Sequence, residues 1–459
     1  MGSIKISNVS FRYEDSSNHI FNNLNLDLDS SWKLGLVGRN GRGKTTFLNL
    51  LQGKLVGRGE IQTKLNFSYY PIRIKDPANI TLYELQDQIM FEQWKLEREL
   101  NLMHVDSNLI WQSFNTLSGG EQTKILLALS FIDENSFPLI DEPTNHLDEE
   151  SRQEICKYLT KHHKGYIVVS HDRNFLNQVT DHVLAIENTE IHLYQGNYAT
   201  YEQIKEARDE FNREKNEKIA GEIKNLHNQK EQFYHWAQKI EARKNLGQKT
   251  QYILNRRARV NKAAIGHAAA KMMKKSITRR NRMDKKIEEK EGLMVNIEDI
   301  PKLTMNFQSN YHSAFLKFLL NKVSANSNGR CELTNGLRIS YLPQDLTIYQ
   351  GSLKNFALHQ KLSYEDLLNI LKKMGFPHTN FNVPIEEMSM GQQKRIALAK
   401  SLLEPADLYL WDEPANYLDV FNQDQLINLL QEVKPAMLLI DHDQYFIEQV
   451  ADERIKLAN

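Results

Sequence analysis

Three segments of this chain occur twice at one fixed spacing, and that spacing constrains the fold more than anything else in the sequence. Ser118 to Gln122 is echoed by Ser389 to Gln393, Asp141-Glu142 by Asp412-Glu413, and Ser170-His171-Asp172 by Asp441-His442-Asp443, each pair 271 residues apart. A constant offset across separate motifs means an internal repeat. The chain therefore holds two copies of one domain, and 459 residues leave room for a third.

The first copy carries the chemistry. Lys33 to Val37 reads as a buried strand, Gly38 to Thr46 fits G-x-x-x-x-G-K-[ST], and Phe47 to Leu51 reads as the start of a helix. Strand, glycine loop and helix are the context a phosphate-binding loop needs. Gly38, Asn40, Gly41 and Gly43 let backbone N–H groups turn toward phosphate oxygens, and the helix N-terminus adds partial positive charge. Lys44 can reach the β- and γ-phosphates, Thr45 can place a hydroxyl on Mg²⁺, and Thr46 completes the loop. Upstream, Ile4 to Tyr13 alternates apolar and polar residues, which suggests an edge strand. Tyr13 is the candidate for stacking on a base, although a packed strand tyrosine fits the pattern equally.

Phe137 to Asp141 is an apolar strand ending in carboxylates, and Tyr166 to Val169 is another that ends at Ser170-His171-Asp172. Asp141 is placed to hold Mg²⁺, Glu142 to orient or deprotonate a water, and His171 to touch a γ-phosphate. Phosphoryl transfer asks for this positioning and charge stabilisation. Each residue alone could be an ordinary strand or turn terminus. Their order after a phosphate loop makes that reading poor.

The second copy has a gap. No G-x-x-x-x-G-K-[ST] follows Lys44 anywhere in the chain. Ser313 to Phe318 stands near the expected place, and Asn326 to Arg330 is the only glycine-bearing turn there. Measured against the first copy, the stretch before Ser340 is short by roughly 25 to 35 residues. Gln344 can reach a metal and water, whereas Ile72, at the matching place in the first copy, cannot. Losing a central strand of a parallel sheet is costly, so this lobe is expected to be weakened.

Between the copies lies a helical, basic segment. From Tyr201 to Glu291 there is no proline, and strong helix formers dominate. The reading is two long helices, about Tyr198–Arg243 and Tyr252–Glu291, reversing near Asn245 to Gln248. At about 40 residues each they would reach about 60 Å. From Lys239 to Lys286 there are 16 Lys/Arg and 2 acids, in a chain whose net charge is zero. Such one-sided charge points to a polyanion, best a nucleic acid, and the RNA-contact candidates are Arg243, Lys244, Lys249, Arg256, Arg257, Arg259 and Lys262. Phe233, Tyr234 and Trp236 could stack on bases or form the seam between the helices.

Composition excludes other classes. Cys156 and Cys331 are too few for a disulfide framework. No apolar run reaches the roughly 20 residues of a membrane span. The first residues lack the apolar core of a signal peptide, and the scarcity of cysteine makes a reducing cytoplasm the expected location.

With these residues assembled, the chain resembles the ATP-binding cassette proteins of the F subfamily. Leu117-Ser118-Gly119-Gly120-Glu121 matches the cassette signature, and Gly38 to Thr46 and Trp411-Asp412-Glu413-Pro414 also look typical. The branch it looks closest to is the Lsa/Vga-like ribosomal protection proteins of Gram-positive bacteria. The resemblance implies an α/β fold of two P-loop cassettes in tandem, joined by a helical hairpin: residues 1–200, a linker over 201–300, and a truncated cassette over 301–459. It implies a cassette pair formed within one monomer, with ATP and Mg²⁺ as cofactors. It also implies ATP hydrolysis and binding at the ribosomal E site beside 23S rRNA and P-site tRNA. The linker would then counter lincosamide, streptogramin A or pleuromutilin drugs.

Each family ATP lies between one phosphate loop and the other cassette's signature. One such site is implied here, joining Gly38 to Thr46, Asp141, Glu142 and His171 to Ser389, Gly391 and Gln392. Met388 and Met390 depart from Leu-Ser-Gly-Gly in that signature. The other keeps Ser118, Gly119, Gly120, Glu121, Gln344, Asp412, Glu413 and His442 as a remnant without its loop. A transporter engine and a defective, non-catalytic deletion variant are the alternatives.

Overall fold

A computed structural model of the chain describes residues 2–14, 19–144, 147–187, 189–254, 262–295, 301–307 and 337–454. Its contacts group Met1–Tyr201 with Ile300–Asn459 in one unit and place Glu202–Asp299 in another. The first unit therefore contains both copies, the two lobes below.

The first lobe opens with β1 (Ser3–Phe11), β2 (Phe21–Asp29) and β4 (Arg58–Gln62), an antiparallel sheet in the order β2-β1-β4. β1 is thus a middle strand, which corrects the edge strand read over Ile4–Tyr13. Alternation reports one buried face, here Ile4, Ile6, Val9 and Phe11. It says nothing of how many neighbours bond the strand's edges.

The main sheet holds β3 (Lys33–Val37), β5 (Asn66–Tyr70), β6 (Ser136–Asp141), β7 (Tyr166–Val169), β8 (His182–Glu187) and β9 (Glu190–Gln195), ordered β5-β6-β7-β3-β8-β9. All neighbours are parallel except β8 and β9. β7 is buried at every residue, as a strand covered on both faces should be. The helices are α1 (Lys44–Leu51), α2 (Thr81–Gln86), α3 (Gln93–Leu102), α4 (Gly119–Leu129), α5 (Glu149–Lys161) and α6 (Arg173–Val179). Because β6, β7 and β3 are adjacent and parallel, their carboxyl ends bring Asp141, Ser170 and Gly38 to one edge. Ligands of open α/β sheets bind at such an edge.

The second unit is built from α7 (Tyr198–Leu254) and α8 (Lys262–Glu291). α7 runs unbroken through Asn245 to Gln248, which corrects the reversal placed there. One glycine costs a helix only about 1 kcal/mol, too little to end it among Lys, Gln and Leu. The two helices are tied by Lys230–Asp284 and Lys290–Glu222 ion pairs. The Asn216 amide exchanges two hydrogen bonds with the Val295 backbone, at 2.7 and 3.0 Å. Arg279 lies 5.0 Å from the Phe233 ring, so this aromatic belongs to the seam.

The second lobe comprises β10 (Ile339–Leu342), α9 (Leu353–His359), α10 (Tyr364–Lys373), α11 (Met390–Leu403), β11 (Leu408–Asp412), α12 (Val420–Val433), β12 (Met437–Ile440) and α13 (Gln444–Val450). Among the described residues its sheet is β10-β11-β12, all parallel. These strands match β5, β6 and β7. A full apolar core surrounds Trp411, whose indole N–H donates to Ser401 Oγ at 2.8 Å. Ile440, at the end of β12, is 58 % exposed, whereas Val169, its β7 counterpart, is buried. Ser313 to Phe318 and Asn326 to Arg330 lie outside the described residues.

Candidate nucleotide site between two lobes

The loop between β3 and α1 is shaped by its glycines. Gly43 has φ +99°, and a Cβ there would come within 2.5 Å of Ile20. Both conditions select glycine. The Lys44 ammonium turns back to donate to Gly38 O (2.7 Å) and Asn40 Oδ1 (3.2 Å). Burial lowers its pKa, against the raising effect of Glu142, Asp419 and Asp141. The Thr45 hydroxyl donates to Asp141 Oδ2 at 3.3 Å, and Tyr69 donates to the same oxygen at 2.9 Å. Thr46 Oγ1 and the Tyr13 hydroxyl are 3.0 Å apart, so Tyr13 stands at the loop just past the end of β1.

Glu142 follows Asp141 in a left-handed conformation, φ +54°, with its N–H donating to Val169 O at 2.9 Å. A non-glycine residue held there stores strain and is aimed by the surrounding structure. Burial raises the Glu142 carboxyl to about 8, with Lys44 pulling it down and Asp141 pushing it up. His171 Nε2 lies 3.1 Å from Asn40 Oδ1 and 3.3 Å from Glu142 Oε1. Burial first, then the Lys44 and Arg395 charges, hold His171 well below its ordinary pKa, so it is neutral. Its one N–H serves Asn40, and Glu142 Oε1 is left buried without a hydrogen-bond partner. A water or phosphate proton would satisfy it.

The second lobe closes the site. A cavity of about 460 Å³ is lined by Asn40, Lys44, Thr45, Asp141, Glu142 and His171 on one side. Ser389, Gly391, Gln392 and Arg395 at the start of α11 line the other. The Asn40 N–H donates to Asp419 Oδ2 at 2.6 Å, and the same carboxylate caps α12 through Asn422 N. Gln392 Oε1 accepts from Ser389 N at 3.0 Å, and Arg395 Nε donates to Gly391 O at 3.0 Å. The Arg39 guanidinium stacks 3.7 Å over Phe421. Sequence reasoning missed Tyr69, Arg39, Asp419 and Arg395. Asp419 was findable, since Asn416 to Asp419 repeats Asn145 to Asp148. The others carry no spacing signal.

The remnant set is placed differently. Glu413 and His442 line the same cavity. Gln344 Nε2 donates to Glu413 at 2.9 Å, and the buried Lys394 donates to Asp412 O at 3.1 Å. Ser118 Oγ donates to Glu121 Oε2 at 2.8 Å, so this signature pair caps α4, with Gly119 and Gly120 as its first residues. None of these four lines the cavity. Of the RNA-contact candidates, Arg243, Lys244 and Lys249 sit on α7 and Lys262 opens α8. Arg256, Arg257 and Arg259 lie outside the described residues.

The residues fit an ATP·Mg²⁺ substrate. Among the described residues no group of three or more His, Cys, Asp or Glu could hold a metal. Mg²⁺ suits such a site, because it takes one or two protein oxygens and completes its shell with water and phosphates. Thr45 Oγ1 and Asp141 Oδ2, 3.3 Å apart, are the oxygens that would hold it.

A family model described as "ABC transporter" matches residues 21–145 and 313–416. Among similar proteins is the ribosome protection protein VmlR of Bacillus subtilis, 26 % identical over 99 % of this chain and 87 % of its own length. Another is the ATP-binding protein Uup of Caulobacter vibrioides, 24 % identical over 97 % of this chain and 76 % of its own. In fold the chain is similar to a chain in a complex of archaeal ribosomal stalk protein aP1 with the archaeal ribosome recycling factor aABCE1. There the TM-score is 0.54 at 18 % identity, covering 97 % of this chain and 86 % of that one.

Proposed function

We propose, for a chain that is a tandem ATP-binding cassette ATPase of the F type, that it works on the ribosome through one ATP rather than two. Closure over an ATP held by Lys44, Thr45 and Asp141 would present the protein to the ribosomal E site. Its linker would reach toward 23S rRNA and P-site tRNA and counter lincosamide, streptogramin A or pleuromutilin drugs. Hydrolysis would release it. The setting is the cytoplasm and the acting form a monomer.

The observation that carries the reading is the cavity that unites the first lobe's loop with the second lobe's Ser389 and Gly391. The basic charge on α8, at Lys274, Lys275, Arg279, Arg280, Arg282, Lys285 and Lys286, supports a polyanionic partner. Among described residues no helix is long and apolar enough to cross a membrane, which gives a transporter reading no added support.

Chemically, each group has one task. Bound Mg²⁺ would neutralise developing charge on the phosphates. Lys44 orients the transferred phosphoryl group, Glu142 accepts the proton of the attacking water, and neutral His171 donates to Asn40 or to the phosphate. The test is pelleting with ribosomes in the Glu142→Gln background. ATP-dependent co-sedimentation is the expected result, and protein that stays in the supernatant with ATP contradicts it. The missing phosphate loop favours a second reading, a binder without turnover. Ribosome binding by wild-type protein with no phosphate release would select it.

A further inference from the structure

The face between the lobes is not symmetric, and the asymmetry rests on two arginines. Arg152, on α5, is 12 % exposed. Its Nη1 donates to His442 O of the second lobe at 2.8 Å and lies 3.2 Å from Asp172 of its own lobe. One guanidinium thus joins the loop after β7 to the loop after β12. Arg173, at the first position of α6, pairs with Asp424 on α12 and lies 4.5 Å from the Tyr445 ring on α13.

The repeat says what stands at the opposite positions. The counterparts of Arg152 and Arg173, 271 residues on, are Gln423 and Gln444. Gln423 Nε2 stays within its lobe, bonding Ala415 O and Asp443 at 3.4 and 3.3 Å. The counterparts of Asp424 and Tyr445 are Gln153 and Asn174, which offer neither a charge nor a ring. Guanidiniums cross from the first lobe to the second at positions where the second lobe offers only amides. These contacts use protein groups alone.

We infer that Arg152 and Arg173 are positioning residues for hydrolysis at the surviving site. They pin the Asp441-His442-Asp443 loop and α12 to the first lobe, so that Ser389 and Gly391 face the phosphate loop. In doing so they supply holding force on the half of the interface whose phosphate loop is missing. The inference rests on the one-ATP reading above. A partly desolvated arginine is suited to the task, because its planar guanidinium keeps its geometry where a flexible ammonium would not.

The test installs the second lobe's own residues. In the full chain, Arg152→Gln with Arg173→Gln should lower kcat for ATP about 10- to 100-fold through misplacement of the signature. ATP affinity should stay within about two-fold, since the phosphate loop is untouched. Spin labels on α1 and α11 should show a broadened interlobe distance in the variant. Arg173→Asp alone should open the lobes, and adding Asp424→Arg should restore them, a rescue that loss of folding would not give. Unchanged kcat together with an unchanged distance distribution overturns the inference. Should the wild type lack turnover, the one-ATP reading fails, and the distance measurement still decides the role of the arginines.

Discussion

The two lobes share a register of motifs and differ in what those motifs can still do. In the first, Asp141, Glu142 and His171 stand beside Lys44, and the buried carboxylates have a cation. In the second, Glu413 repeats the left-handed turn, φ +47°, and donates its N–H to Ile440 O at 2.7 Å as Glu142 does to Val169. Yet Gln344 and Asn416 occupy its carboxylate, and Lys394, from the signature helix, is the nearby cation. Burial lowers that lysine to about 8, against the charges of Asp441, Glu413 and Asp412. The lesson is that a cassette's signature face and its phosphate face are separable. α11 serves the neighbouring lobe's loop whatever becomes of its own.

The difference can be broken most forcefully at the lysine. Lys44→Met should lower ATP turnover by about two to three orders of magnitude, read as phosphate release, because Lys44 is the cation of the phosphate loop itself, set against Glu142 and Asp141. The carboxylate pair comes next. Glu142→Gln should cost roughly 10²- to 10⁴-fold in kcat while ATP still binds, whereas Glu413→Gln should change kcat by less than about two-fold. Equal losses from both would mean that the second set is catalytic. The signatures differ too. A Cβ on Gly391 would meet Tyr417 O at 2.8 Å, while one on Gly119 meets nothing within 4 Å. Gly391→Ala should therefore cost about ten-fold in turnover, and Gly119→Ala almost nothing.

The smallest effect separates the helical parts of the lobes. Burial would push the Glu99 carboxyl on α3 up, but His162, Tyr158 and Arg98 bind it and hold it below the ordinary 4.5. Tyr158 donates at 2.8 Å. The counterparts of Glu99, Tyr158 and His162 are Ile370, Leu429 and Val433. A depressed carboxylate stabilises above its unfolded pKa and loses that contribution as pH falls through its folded value. Below about pH 4.5 the first lobe should lose stability through this group, and the second should not. Glu99→Ile should flatten the acid limb in scanning calorimetry.

Much of this was legible in the sequence, for physical reasons that vary by residue. Lys44, Asp141, Glu142 and His171 follow from motif order, since a parallel sheet sends adjacent strand ends to one edge. The constant spacing of the repeat located Ser389 and Gly391, and only the resemblance to tandem cassettes assigned them to the other lobe's phosphate loop. β1 as a middle strand was not legible, because alternation reports faces and not edges. Nor was the length of α7, where one glycine outweighed its true cost. Arg152, Arg173, Arg395 and Tyr69 belong to no motif, and their roles exist only where two lobes meet or two strands lie adjacent.

The central claim is that one complete ATP site spans the lobes. Equilibrium dialysis of ATP against Glu142→Gln protein tests it most directly, with Lys44→Met as the companion. The account predicts one ATP per chain, falling to none when Lys44 is replaced. Two per chain, or one that survives Lys44→Met, would contradict it.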